Sequence, residues 1–76
     1  MGLAASRHRN NMVISIRSIR EIDLNRVLRI ITPKLNGTGG GHSFAAGARV
    51  HISKFKDFLA MLDDELMILY GKILSG

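Results

Sequence analysis

Met12-Val13-Ile14-Ser15-Ile16-Arg17-Ser18 sets apolar residues at alternate positions. Met12, Ile14 and Ile16 fall on one side and Val13, Ser15 and Arg17 on the other, the period of two that a half-buried strand requires. A second stretch repeats the pattern, with Ala46, Ala48, Val50 and Ile52 on one face and Gly47, Arg49 and His51 opposite. Between them the period changes. Leu24, Val27, Leu28, Ile31 and Leu35 recur at helical spacing behind Asp23, whose carboxylate suits a helix N-cap. Pro33 cannot donate to the helical ladder and disfavours an α conformation at Thr32. Regular helix should therefore end near Ile31, with one further turn before Asn36-Gly37. Ser53 stands where it would cap a long final helix carrying Phe55, Phe58, Leu59, Leu62, Leu66, Leu69, Tyr70 and Ile73 on one stripe. Met61, Met67 and Ile68 lie off that stripe, more apolar surface than a single buried face uses, which points to a second contact surface.

The resulting order is strand, helix, glycine loop, strand, helix: a small β-α-β-α unit of the α/β class. Two strands make a sheet of marginal stability in water. The partial sheet is thus expected to be completed by another domain or by a second copy, and parallel neighbours would imply a right-handed crossover. Residues 1–11 are small, basic and polar without periodicity, and read as a flexible basic arm before a domain over 12–76. Gly2 with Ser6, followed by Arg7 and Arg9, also fits the loose N-myristoylation pattern; the plainer alternative is an unstructured leader.

A chain of 76 residues makes one small domain, and at this size burial leaves little margin of stability. With no cysteine, disulfides and thiolate zinc sites are closed off. His8, His42 and His51 lack the spacing of a helical metal pair. Eleven Lys and Arg against six Asp and Glu give a net charge of +5, a surplus that favours phosphate-bearing partners or anionic surfaces. No apolar run approaches the roughly 18 residues of a membrane span. No secretory signal opens the chain. The expectation is a cytoplasmic protein with no membrane partner.

The segment Asn36-Gly37-Thr38-Gly39-Gly40-Gly41-His42 is the chemical centre of the sequence. Three successive glycines remove every Cβ, so their N–H groups could turn toward one anion in a concave nest. His42 beside them can donate an imidazole N–H to a phosphate oxygen. Taken alone, the same residues also suit a tight connector between helix and strand. They match neither the Walker pattern nor the dinucleotide fingerprint.

The longer string Gly39-Gly40-Gly41-His42-Ser43-Phe44-Ala45-Ala46-Gly47-Ala48 closely resembles the signature of the DHH-associated domain, the C-terminal substrate-binding domain of DHH-family phosphoesterases. That family includes RecJ-type single-strand exonucleases and the nano-RNases. Ile14-Ser15-Ile16-Arg17-Ser18 resembles its Ser-apolar-Arg-Ser strand, and Glu21-Ile22-Asp23-Leu24 the turn into its helix. The insertion Asn36-Gly37-Thr38 is most similar to archaeal RecJ-like members. The resemblance spans about residues 12–70, and the family's opening strands, which would precede Asn11, look absent. The glycine-rich C-terminal domain of alanyl-tRNA synthetases is a more distant relative, and the His-x-x-Ala-Ala-Gly continuation favours the phosphoesterase branch.

The resemblance implies that Gly39, Gly40, Gly41 and His42 hold a substrate phosphate with help from Arg17, and that Ser15 and Ser18 are weaker candidates. The partner would be single-stranded nucleic acid or a nucleotide. Phe44 is the one aromatic left over for base stacking, since Phe55, Phe58 and Tyr70 belong to the helix stripe. Arg49 and His51 read as a solvated strand face. If that face coincides with the face of Ser15 and Arg17, a basic patch lies beside the glycines.

Catalysis is implied to come from a separate DHH domain holding two divalent metals, manganese as a rule, with no cofactor in this chain. Two-metal hydrolysis needs several converging carboxylates. Here Asp63-Asp64-Glu65 fan around a helix, and Glu21 and Asp23 serve a turn and a cap. The chain therefore reads as a non-enzymatic module that either accompanies the DHH catalytic domain or self-associates. The alternative is an oligomerisation or interaction domain in which the glycines only turn the chain.

Overall fold

The computed structural model describes residues 2–18, 22–42 and 45–70. Four strands form one antiparallel sheet in the order β1-β2-β4-β3: β1 is Gly2–His8, β2 Asn11–Arg17, β3 Thr38–Gly41 and β4 Ala45–His51. Helix α1 spans Leu24–Ile31 and α2 spans Phe55–Tyr70. The class is the small mixed α/β fold with a partial, open sheet that the periodicity implies, but with four strands instead of two.

The alternation in β2 and β4 sorts their side chains as expected. Ile14, Ile16, Ala46, Ala48 and Val50 are buried, while Ser15, Arg17, Gly47, Arg49 and His51 are exposed. The buried set packs with Leu24, Val27, Leu28 and Ile31 of α1 and Phe58, Leu62 and Leu66 of α2 in a single cluster. Both helices thus clothe one face of the sheet, and the opposite face is open. The one-sided arrangement is what an antiparallel sheet with polar alternate positions permits.

Two strands escaped the periodicity reading. Residues 1–11 are not a flexible arm: Gly2–His8 pair with β2 from Gly2↔Arg17 to His8↔Asn11. A two-residue turn, Arg9-Asn10, joins them, with Arg9 at φ 59° and its carbonyl accepting from Arg7 Nε at 2.9 Å. All seven residues of β1 are exposed. Neither face meets a core, so nothing demands an alternating pattern, and Ala4-Ala5-Ser6 carry little strand propensity. The hairpin also supplies a strand before Asn11, where the sequence suggests none.

The glycine run is the second surprise. Thr38–Gly41 is not a loop but an edge strand, antiparallel to β4 with Thr38↔Arg49, Gly39↔Ala48, Gly40↔Gly47 and Gly41↔Ala46 in register. The helical crossover therefore links β2 to β3, and β4 returns between them antiparallel to both. No parallel pair of hydrogen-bonded neighbours arises among the described residues.

The helix boundaries follow local chemistry. Asp23 caps α1, its carboxylate accepting from Arg26 N at 3.1 Å. After Ile31 the chain tightens into a 3₁₀ turn over Thr32–Leu35 with Pro33 near its start, and Asn36 ends it in the left-handed region at φ 55°. The buried Thr32 hydroxyl donates to Leu28 O at 2.7 Å. Before α2, Ile52–Lys54 form another 3₁₀ turn, so Ile52 leaves the strand. Its cap is His51 in place of Ser53: Ser53 N donates to His51 Nδ1 at 3.1 Å. Along α2, Phe58, Leu62 and Leu66 are fully buried, while Met67 and Ile68 are exposed. The side chain of Tyr70 and all of Ile73 lie outside the described residues.

Candidate functional site

Residues directly opposed across an antiparallel sheet share a face, so the register fixes which candidates come together. On the open face one row runs Gly2, Arg17, Ala45, and His42 joins it, since its N–H donates to Ala45 O at 2.8 Å. The next row is Ala4, Ser15, Gly47, Gly40. Arg17 and His42 therefore flank Ala45, beside a row whose members are all small. Ser15, Arg17 and His42 are exposed. A pocket of about 280 Å³ lined by Gly2, Leu3, Ala4, Ser15 and Arg17 opens next to them.

Ser18 does not share this face. It is buried and falls in the inward phase of β2 with Ile14 and Ile16. Phe44 and Ser43 lie outside the described residues.

The three glycines do not curl into a concave nest. An extended strand turns successive N–H groups to opposite edges. Gly40 faces β4, and Gly41 faces away, where its N–H donates to the Asn25 side-chain oxygen at 3.2 Å. Each glycine also has a steric reason. A Cβ on Gly39 would lie 2.8 Å from Thr32 Cγ2, and one on Gly41 2.8 Å from both Ala45 O and Ala46 Cα. Gly40 and Gly41 adopt φ of 154° and 145°, which side chains rarely take. Close seating of β3 under α1, and mirror-extended backbone, account for the run. Asn25, which ties the first turn of α1 to Gly41, escaped the sequence reading; an amide one residue inside a capped helix start carries no signal without the fold.

Basic residues occur in both layers, with Arg26 and Arg29 on α1 and Lys56 on α2, but the acids are distributed unevenly. None of the four strands contains Asp or Glu, whereas β1, β2 and β4 carry Arg7, Arg17 and Arg49. The acids Asp57, Asp63, Asp64 and Glu65 sit on α2, behind the sheet. Arg49 and His51 do share the open face with Ser15 and Arg17, through the pairs Val13↔Arg49 and Asn11↔His51. Among the described residues no three His, Cys, Asp or Glu side chains gather as a metal site. The scattered carboxylates of these residues do not fit a divalent pair such as two manganese ions. Among the described residues, no helix is long and apolar enough to cross a membrane.

Fold and site together define a small α/β domain, a one-sided sheet with arginines on its open face. The chain belongs to the DHHA1 domain family, whose model matches residues 1–67. This is the DHH-associated C-terminal domain, an accessory unit that sits with the DHH catalytic domain of DHH-family phosphoesterases. The match begins at residue 1, so the β1–β2 hairpin is part of the domain. No curated protein matches the chain at a significant level.

Proposed function

We propose that this domain grips a phosphate of single-stranded nucleic acid or of a short nucleotide, and presents it to a DHH catalytic domain that supplies the hydrolysis. The observation that carries the reading is the row that sets Arg17 and His42 on either side of Ala45, next to Ser15, Gly47 and Gly40, on strands that contain no Asp or Glu. A phosphate can approach this row closely because the neighbouring positions have little or no side chain. The guanidinium supplies paired donors and charge, and the imidazole a further N–H. Ser15 adds a hydroxyl on the same face. Manganese, cytoplasmic location and kinship to archaeal RecJ-like exonucleases belong to this proposal as properties of the parent enzyme.

A second reading keeps the domain as an assembly module in which the glycines only pack. It is favoured by the steric need for each glycine and by exposed Met67 and Ile68 on α2, at 50% and 73%. Fluorescence anisotropy with a labelled single-stranded oligonucleotide separates the two. Under the phosphate-binding reading, Arg17→Gln and His42→Ala each weaken binding by about three- to tenfold, the usual worth of a charge-assisted contact on an open surface. Equal affinity for wild type and both variants, or no binding by any, supports the assembly module.

A further inference from the structure

At the far end of the open face, a second pocket of about 310 Å³ is lined by Asn11, Asn36, Gly37, Thr38, Arg49, Val50 and His51. Its wall is shaped by the backbone. Asn36 turns left-handed at φ 55°, and Gly37 N donates to Thr32 O at 2.9 Å. The loop then lies so close to β4 that a Cβ on Gly37 would come 2.5 Å from Arg49 O. The register brings Thr38 opposite Arg49 and Asn11 opposite His51.

Every polar side chain in this lining can donate, and none is a carboxylate. Arg49 offers a guanidinium fork, Asn11 and Asn36 amide N–H groups, and Thr38 a hydroxyl. The state of His51 is set by its role as a cap. A backbone N–H must donate, so His51 Nδ1 accepts from Ser53 N, and Ser53 Oγ lies 2.8 Å from the same nitrogen. The ring proton of the neutral imidazole is therefore on Nε2, a donor held in place by the 3₁₀ turn.

We infer that this pocket is a second phosphate site, which takes a phosphodiester of the same strand whose other phosphate is held at Arg17 and His42. The inference rests on the open face binding nucleic acid. Arg49 is four residues along β4 from Ala45, or about 13 Å at strand rise, more than one internucleotide step. A mononucleotide can occupy only one site, whereas a longer strand bridges both. Arg49 and His51 thus act as a length gauge and not only as a solvated strand face.

The test is a ladder of oligothymidylates, from the mononucleotide upward, titrated into wild type, Arg17→Gln, Arg49→Gln and Arg49→Lys, with inorganic phosphate followed by amide NMR shifts. Wild type should gain affinity sharply once the strand spans both sites. Arg49→Gln should lose about tenfold of that gain yet leave the mononucleotide-induced shift of the His42 amide as in wild type, with Arg49→Lys between the two. Phosphate should shift the amides of Gly37, Thr38 and His51. An Arg49→Gln ladder that superposes on wild type, while Arg17→Gln weakens every length, removes the second site and leaves the first intact. No binding by wild type at any length removes both. Equal shifts with acetate and phosphate would overturn the phosphate assignment in favour of a carboxylate ligand.

Discussion

At Gly41 two constraints coincide, a φ of 145° and would-be Cβ contacts of 2.8 Å with Ala45 O and Ala46 Cα. Backbone of this kind costs a side chain on the order of 1–3 kcal/mol, and the neighbours are main-chain atoms held in the β3–β4 ladder. Gly41→Ala should therefore lower unfolding free energy by about 2 kcal/mol or more in urea denaturation. Gly2, around which nothing lies within 4 Å, should tolerate alanine with little change. If Gly41→Ala melted like wild type, β3 could not have the conformation described. The contrast shows what the residue pattern hides. Glycine is compatible with a loop, an anion nest or a close-packed strand, and only neighbours distinguish them.

Among the elements, α1 ties the core to the candidate site. Its eight residues bury Leu24, Val27, Leu28 and Ile31, and its first turn holds Gly41 through Asn25. So short a helix depends on its packing and its cap. Asp23→Ala removes the acceptor for Arg26 N and should cost about 1 kcal/mol, read as a lower denaturation midpoint at unchanged slope. A variant as stable as wild type would mean that the cap contributes nothing. The helices and the two alternating strands were legible because each has one buried face that imposes a period. Strands β1 and β3 were not. The first buries neither face, and the second has no side chains from Gly39 to Gly41 in which a period could be written.

Across the described residues the acids divide by layer, with none in the four strands and four on α2, while basic residues occur in both layers. Nucleic acid held on the open face should meet few phosphate-binding cations, chiefly Arg17 and Arg49. Each phosphate neutralised on a single strand contributes roughly 0.7 to the log–log salt slope, so the slope should be about −1 to −2. A steep slope would instead mean diffuse attraction by the Lys and Arg scattered over the chain. Measuring affinity across a salt series decides between them.

Sequence by itself determined the membership of the chain in its family, the extent of α1, the inward faces of β2 and β4, and the residue types available for holding phosphate. These are local properties, written in periodicity, capping chemistry and a specific string from Gly39 to Ala48. Tertiary structure alone decided the strand order β1-β2-β4-β3, the conversion of the glycine run into an edge strand, and the placement of Arg17 and His42 on either side of Ala45. Register is the physical reason. Residues far apart in the chain become neighbours only when β4 is laid between β2 and β3, and no local pattern encodes that choice.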